Sequence, residues 1–174
     1  RDGLEASGLD PNAVNLVEGG REVTGELMAA RGLVDVLIPR GGAGLIQAVV
    51  DGSKVPVIET GTGNCHLFVD ASADVQMAID IMINAKVQRC SVCNALETLL
   101  VHKDIADEFL PRALEALAAD GVVVHGDEAV RAYSDGVVEV QPEDFEAEWL
   151  SMDLSARVVD SLDEALEHIR TYTT

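Results

Sequence analysis

Residues 75–102 read VQMAIDIMINAKVQRCSVCNALETLLVH, and their pattern decides the fold class. Val75 to Arg89 is a helical pattern, the stretch from Asn84 to Asn94 runs from it through a polar turn toward the apolar run Leu96 to Val101, and Thr98 to His102 is a β-strand candidate. The helical part carries Ile79, Ile81, Met82 and Ile83 almost all round, so it is expected to be buried on several sides. A helix feeding a strand through a short turn is the unit of an α/β domain.

Working outward, the same alternation continues in both directions. Strand candidates are Val14 to Val17, Val34 to Ile38, Val55 to Ile58, His66 to Val69, Val122 to His125 and Arg157 to Val159. The other helix candidates are Glu22 to Ala30, Ala43 to Val50, Ile105 to Ala119 and Leu162 to Arg170. Short β-branched runs alternating with longer helical patterns predict a largely parallel sheet flanked by helices. Asp104 stands where it can cap the helix beginning at Ile105, and Ser161 with Glu164 forms a capping box. Gln141 to Asp144 reads as a polar loop. Both ends look cut: the chain starts in a helical pattern lacking its beginning and stops at Thr173 and Thr174, just after a helix.

Composition narrows the function classes. The formal charge of −19 argues against a nucleic-acid partner, because phosphate binding relies on clustered Lys and Arg. No apolar run approaches the roughly 18 residues of a membrane helix, and the first residues lack the plan of a signal peptide. A soluble cytoplasmic protein is expected. Three cysteines, an odd number, do not describe a secreted disulfide framework and read as free thiols.

The chemistry-bearing candidates begin in the turn. A cysteine between a buried helix and a strand can be held rigidly at a cleft, and Lys86 and Arg89 upstream are cations of the kind that favour a thiolate. Taken alone, the stretch favours a structural reading of Cys93, since free cysteine is among the most buried residue types. Cys90-x-x-Cys93 also raises thiol-disulfide or metal chemistry. Its placement after a long helix is wrong for a thioredoxin-like motif, and a zinc site would need about four ligands, so no metal is expected. Pro39-Arg40-Gly41-Gly42-Ala43-Gly44 precedes a helix and could present backbone N–H groups to a phosphate, or could simply be a tight turn. Glu59, at a strand end before the glycine turn Thr60 to Asn64, is either a buried carboxylate or a solvated strand end. His102, His125 and His168 read as surface or strand-end residues, and His66 as structural.

Together these pieces resemble the γ-glutamyl phosphate reductases, a branch of the aldehyde dehydrogenase superfamily. The resemblance rests on LIPRGG at 37–42, VIETGTGNCH at 57–66, NAK at 84–86, SVCN at 91–94, ETLLV at 97–101 and EWL at 148–150, in the family's order and spacing. It implies an aldehyde dehydrogenase-like fold truncated at both ends, with residues 1–57 ending the cofactor-binding domain and 58–174 forming an incomplete catalytic domain. It further implies NADPH-dependent reduction of L-glutamyl 5-phosphate to glutamate 5-semialdehyde, in proline biosynthesis, with Cys93 as nucleophile. Arg40, Gly41, Gly42 and Glu148 are then cofactor-side residues. Lys86, Arg89 and Asn94 would stabilise thiolate or substrate. Glu59 aligns with the glutamate that activates water in aldehyde-oxidising relatives, a role unwanted where phosphate is the leaving group. Glutamate 5-kinase is the implied pathway partner, and a homo-oligomer the implied state at full length. Cys90 departs from the family's usual proline. The competing readings are a water-using aldehyde dehydrogenase and a non-catalytic thiol or metal-binding module.

Overall fold

The computed structural model describes residues 2–59, 61 and 63–173, and the chain divides into two compact units, Arg1–Gly61 and Thr62–Thr174. In the first unit, helices α1 (Asp2–Ala6), α2 (Arg21–Ala29) and α3 (Ala43–Gly52) are joined by irregular segments, the first of which holds the short 3-10 turn Pro11–Ala13. The expected strands Val14 to Val17, Val34 to Ile38 and Val55 to Ile58 are not strands. Only isolated parallel bridges form there, Arg31 with Val34 and Leu37 with Val57. A β-branched run becomes a strand only when a ladder accepts its backbone groups, and these runs meet a neighbour at single points. Leu16, Val17, Ile38 and Ile58 consequently stand exposed.

The second unit is built on five parallel strands: β1 (Cys65–Val69), β2 (Leu96–His102), β3 (Val123–Gly126), β4 (Val138–Glu139) and β5 (Asp153–Val159), in the order β1-β2-β5-β3-β4. Helices α4 (Val75–Val87), α5 (Lys103–Ala119), α6 (Glu128–Arg131) and α7 (Leu162–Tyr172) complete it. Strand periodicity sorts the core into two layers. Val69, Leu99, Val101, Leu154 and Ala156 pack with α4 and α5, whereas Leu100 and Val159 pack with Ala165 of α7. The expected parallel sheet flanked by helices is therefore present.

Several local expectations change. α4 buries one stripe, Val75, Ala78, Ile79, Met82 and Lys86, and leaves Met77 and Ile81 exposed. It is an amphipathic helix after all. α5 starts at Lys103, so Asp104 lies in its first turn and the cap is His102, whose Nδ1 accepts from the Asp104 N–H at 3.2 Å. Its far end closes on Gly121, at φ +77°, with Val122 N–H donating to Leu117 carbonyl at 2.9 Å, a Schellman closure that favours glycine. Ser161 caps α7 as expected by accepting from Glu164 N–H, but the Glu164 carboxylate reaches Asp160 N–H and Arg157 rather than Ser161. Pro142–Phe145 is a short 3-10 turn, its start held by Gln141 N–H donating to the Asp144 carboxylate at 2.8 Å, where a loop was expected.

His168 is a larger correction. It is only 3 % exposed, lying edge-on to Phe145 at 4.9 Å and to His66 at 5.5 Å. Among the described residues neither of its ring nitrogens has a partner. Burial, then His66 and Arg157, hold its pKa down to about 4 from an ordinary 6.5. The imidazole is neutral in both states above 6.5; below that the unfolded chain takes up a proton first, so stability falls until the folded form also protonates near 4. The loss is capped at about 3 kcal/mol. Urea midpoints measured from pH 7 to 4.5 should therefore fall more steeply for the wild-type chain than for His168→Leu. Parallel pH profiles would show that His168 does not titrate this way.

Candidate active site

Three chain segments enter adjacent parallel strands side by side: Gly63 and Asn64 into β1, Cys93 to Ala95 into β2, and Phe145 to Met152 into β5. Asn64 fastens them. Its side-chain oxygen accepts from Thr98 Oγ1 at 2.9 Å, while its amide donates to the Phe145 carbonyl and, at 3.5 Å, to that of Ala147. In the sequence Asn64 stands only as one letter of the VIETGTGNCH motif. Its bonds to a segment more than 80 residues away leave no local signal.

Cys93 lies exposed on a turn closed by Ala95 N–H donating to the Val92 carbonyl at 2.9 Å. Its own carbonyl accepts from the Cys65 thiol at 3.5 Å. Cys65 is half-buried, and desolvation, followed by the negative charges of Glu97, Cys93 and Glu148, pushes its thiol pKa up. At neutral pH Cys65 is thus held as the thiol, the unreactive form. Gly63 packs against the same turn: a Cβ there would lie 2.5 Å from the Cys93 carbonyl oxygen and 3.3 Å from Glu148 Oε1. Cys93 and Glu148, 55 positions apart, therefore converge on one glycine.

The expected cations part company. Lys86 is fully buried and donates from Nζ to Glu97 Oε2 and to the Leu96 carbonyl, both at 2.8 Å. Its charge is spent on Glu97 instead of a thiolate, because position 86 belongs to the buried stripe of α4. Arg89 and Asn94 are exposed, and among the described residues Arg89 makes no ion pair. Glu97 was overlooked as a candidate, although its place inside an apolar run marked it. Glu59, open between a buried and a solvated reading, is exposed in the first unit. In that unit Arg40 and Gly41 are also exposed, and the Gly42 carbonyl accepts from Leu45 N–H at 2.9 Å to begin α3. Thr60 and Thr62 of the glycine turn lie outside the described residues. Among the described residues no three His, Cys, Asp or Glu side chains are grouped to hold a metal, and no helix is long and apolar enough to cross a membrane.

Compared with known proteins, residues 3–131 match the model of the aldehyde dehydrogenase family. The chain belongs to that family. As a member of the aldehyde dehydrogenase family it is 59 % identical, over all of its length, to the γ-glutamyl phosphate reductase of Thermobifida fusca (strain YX), of which it covers 42 %. It is 60 % identical over 90 % of its length to the enzyme of that name from Cutibacterium acnes, covering 38 % of it. The crystal structure of γ-glutamyl phosphate reductase from Thermotoga maritima superimposes with a TM-score of 0.90 at 43 % identity, over 99 % of this chain and 42 % of that one. Propionaldehyde dehydrogenase from Rhodopseudomonas palustris shares the fold, with a TM-score of 0.70 at 19 % identity over 98 % of this chain and 46 % of that one. This aldehyde dehydrogenase-family chain thus spans about two fifths of the length of the curated relatives it matches.

Proposed function

We propose that this chain is the nucleophile-bearing part of a γ-glutamyl phosphate reductase, which reduces L-glutamyl 5-phosphate to glutamate 5-semialdehyde with release of phosphate, in proline biosynthesis. The observation that carries this reading is the exposed Cys93 on a turn at the strand entries, beside a second thiol, Cys65, that burial and negative charge keep protonated. The first unit is then the end of a cofactor-binding domain and the second most of a catalytic domain.

The Cys93 thiolate attacks the acyl carbon, forming the C–S bond, while the C–O bond to phosphate breaks and phosphate leaves. NADPH, when bound, would supply the hydride that reduces the thioester carbon. The resulting thiohemiacetal oxyanion reforms its carbonyl, expels the Cys93 thiolate and releases the aldehyde. Backbone N–H groups around the Cys93 turn support that oxyanion. Residues suited to the dinucleotide are Glu148, a part-exposed carboxylate with no hydrogen bond among the described residues, and the Arg40-Gly41-Gly42 turn that opens α3. Gly63 fits the same reading, since its missing Cβ leaves room between Cys93 and Glu148. With its charge committed to Glu97, Lys86 leaves Arg89 as the cation to favour the thiolate, and Asn94 as an exposed amide within the turn. Glu59, exposed here, is not called upon to activate water. The substrate is a small acyl phosphate, glutamate 5-kinase would make it, and full-length protein would form a homo-oligomer.

The test is the reverse reaction in protein of the relatives' full length. Glutamate 5-semialdehyde and NADP should give NADPH only when phosphate is supplied. Equal turnover without phosphate, with glutamate as product, would instead identify a water-using aldehyde dehydrogenase.

A further inference from the structure

Among the described residues, Lys86 and Glu97 are the two charged side chains buried to 0 % and 1 % exposure. Burying an ion pair is a poor way to gain stability, because desolvating both charges offsets most of their attraction. The pair has a third member that suggests another purpose. While Oε2 of Glu97 holds Lys86, Oε1 accepts from the backbone N–H of Leu150 at 3.2 Å. Leu150 sits at φ +51°, alone among the described non-glycine residues in the left-handed region. A leucine persists there only where its surroundings hold it.

What precedes Leu150 is pinned as well. The Trp149 indole N–H donates to Ser155 Oγ at 3.1 Å and its ring stacks on His125 at 4.4 Å, while the Ala147 carbonyl accepts from Asn64. Glu148 stands between these fixed points, its carboxylate turned toward Gly63 and the Cys93 carbonyl. The backbone on its far side is fixed by the Leu150 amide, and that amide by Glu97.

We propose that Glu97, clamped by Lys86, is a positioning residue that locks Leu150 in its left-handed turn and so aims the Glu148 carboxylate at the site where the dinucleotide would lie. The last step rests on the function proposed above; the clamp does not.

Two paired substitutions separate the clamp from the charge. Lys86→Met with Glu97→Gln removes both charges but keeps a side-chain oxygen for the Leu150 amide. Lys86→Met with Glu97→Leu removes both charges and the oxygen. Amide hydrogen exchange in this chain, read on peptides covering residues 146–151, should quicken about tenfold in the leucine pair relative to the glutamine pair. In full-length protein the leucine pair should raise the KM for NADPH roughly fivefold over the glutamine pair, with kcat changing less. If the leucine pair fails to unfold cooperatively, Glu97→Asp serves in its place, since it keeps the charge against Lys86 and withdraws the oxygen from Leu150. Equal exchange in the compared variants overturns the proposal, and so does quickened exchange with an unchanged KM for NADPH. A wild-type enzyme that does not use NADPH would instead sink the functional reading, leaving exchange to judge the clamp.

Discussion

Cys93→Ala should remove reductase turnover in full-length protein by about four orders of magnitude or more, because covalent catalysis has no substitute once the nucleophile is gone. The fold should be indifferent. Cys93 is exposed on its turn and its side chain is no part of the core, so losing the sulfur opens no cavity, and stability should change by no more than about 0.5 kcal/mol. Cys65 cannot take over, since its pKa is raised and its thiol donates to the Cys93 carbonyl. The same contrast is measurable without turnover: brief iodoacetamide treatment of this chain should alkylate Cys93 ahead of Cys65, read by peptide mass. Activity within tenfold of wild type, or Cys65 labelled first, would show that the nucleophile is elsewhere.

The second unit was legible because its strands carry their own partners. His66 to Val69, Thr98 to His102, Val122 to His125 and Arg157 to Val159 each fall within or beside an observed strand, and β5 begins four residues earlier than its β-branched end suggested. Runs of the same composition in the first unit misled, since composition records a preference for pleated, half-buried surroundings and cannot say whether a neighbouring strand exists. The candidate site was legible in part. Cys93 stood out by its turn, and Glu148 by resemblance, but their meeting at Gly63 depends on strand order, which no window of sequence contains. Lys86 shows the opposite error. Seven positions from Cys93, it looked like a thiolate partner, yet Val75, Ile79, Met82 and Lys86 recur at helical spacing, and that stripe faces the core. A lysine on an apolar stripe needs a buried carboxylate, and Glu97 inside the run Leu96 to Val101 was the available one.

Gly63→Ala should be the most damaging change that removes no functional group. The added Cβ would lie 2.5 Å from the Cys93 carbonyl oxygen, a backbone atom that cannot swing aside as a flexible side chain would, and 3.3 Å from Glu148 Oε1. One of the two segments has to move. The β1 entry resists, because Asn64, next in the chain, is bonded to Thr98, Phe145 and Ala147. The Cys93 turn is exposed and held by fewer bonds, so it yields first. Overpacking of this kind costs about 1–3 kcal/mol in stability, whereas a displacement of about 1 Å at a nucleophile costs roughly a hundredfold in rate. The expected result is therefore a kcat/KM in full-length protein lowered about a hundredfold, a modest loss of stability, and an altered rate of Cys93 alkylation in this chain. Gly136→Ala is the control, since its Cβ would meet nothing nearer than Ser134 Oγ at 3.5 Å. If Gly63→Ala matches that control in both turnover and alkylation, Gly63 does not set the Cys93 turn, and the convergence of Cys93 and Glu148 on it has no bearing on catalysis.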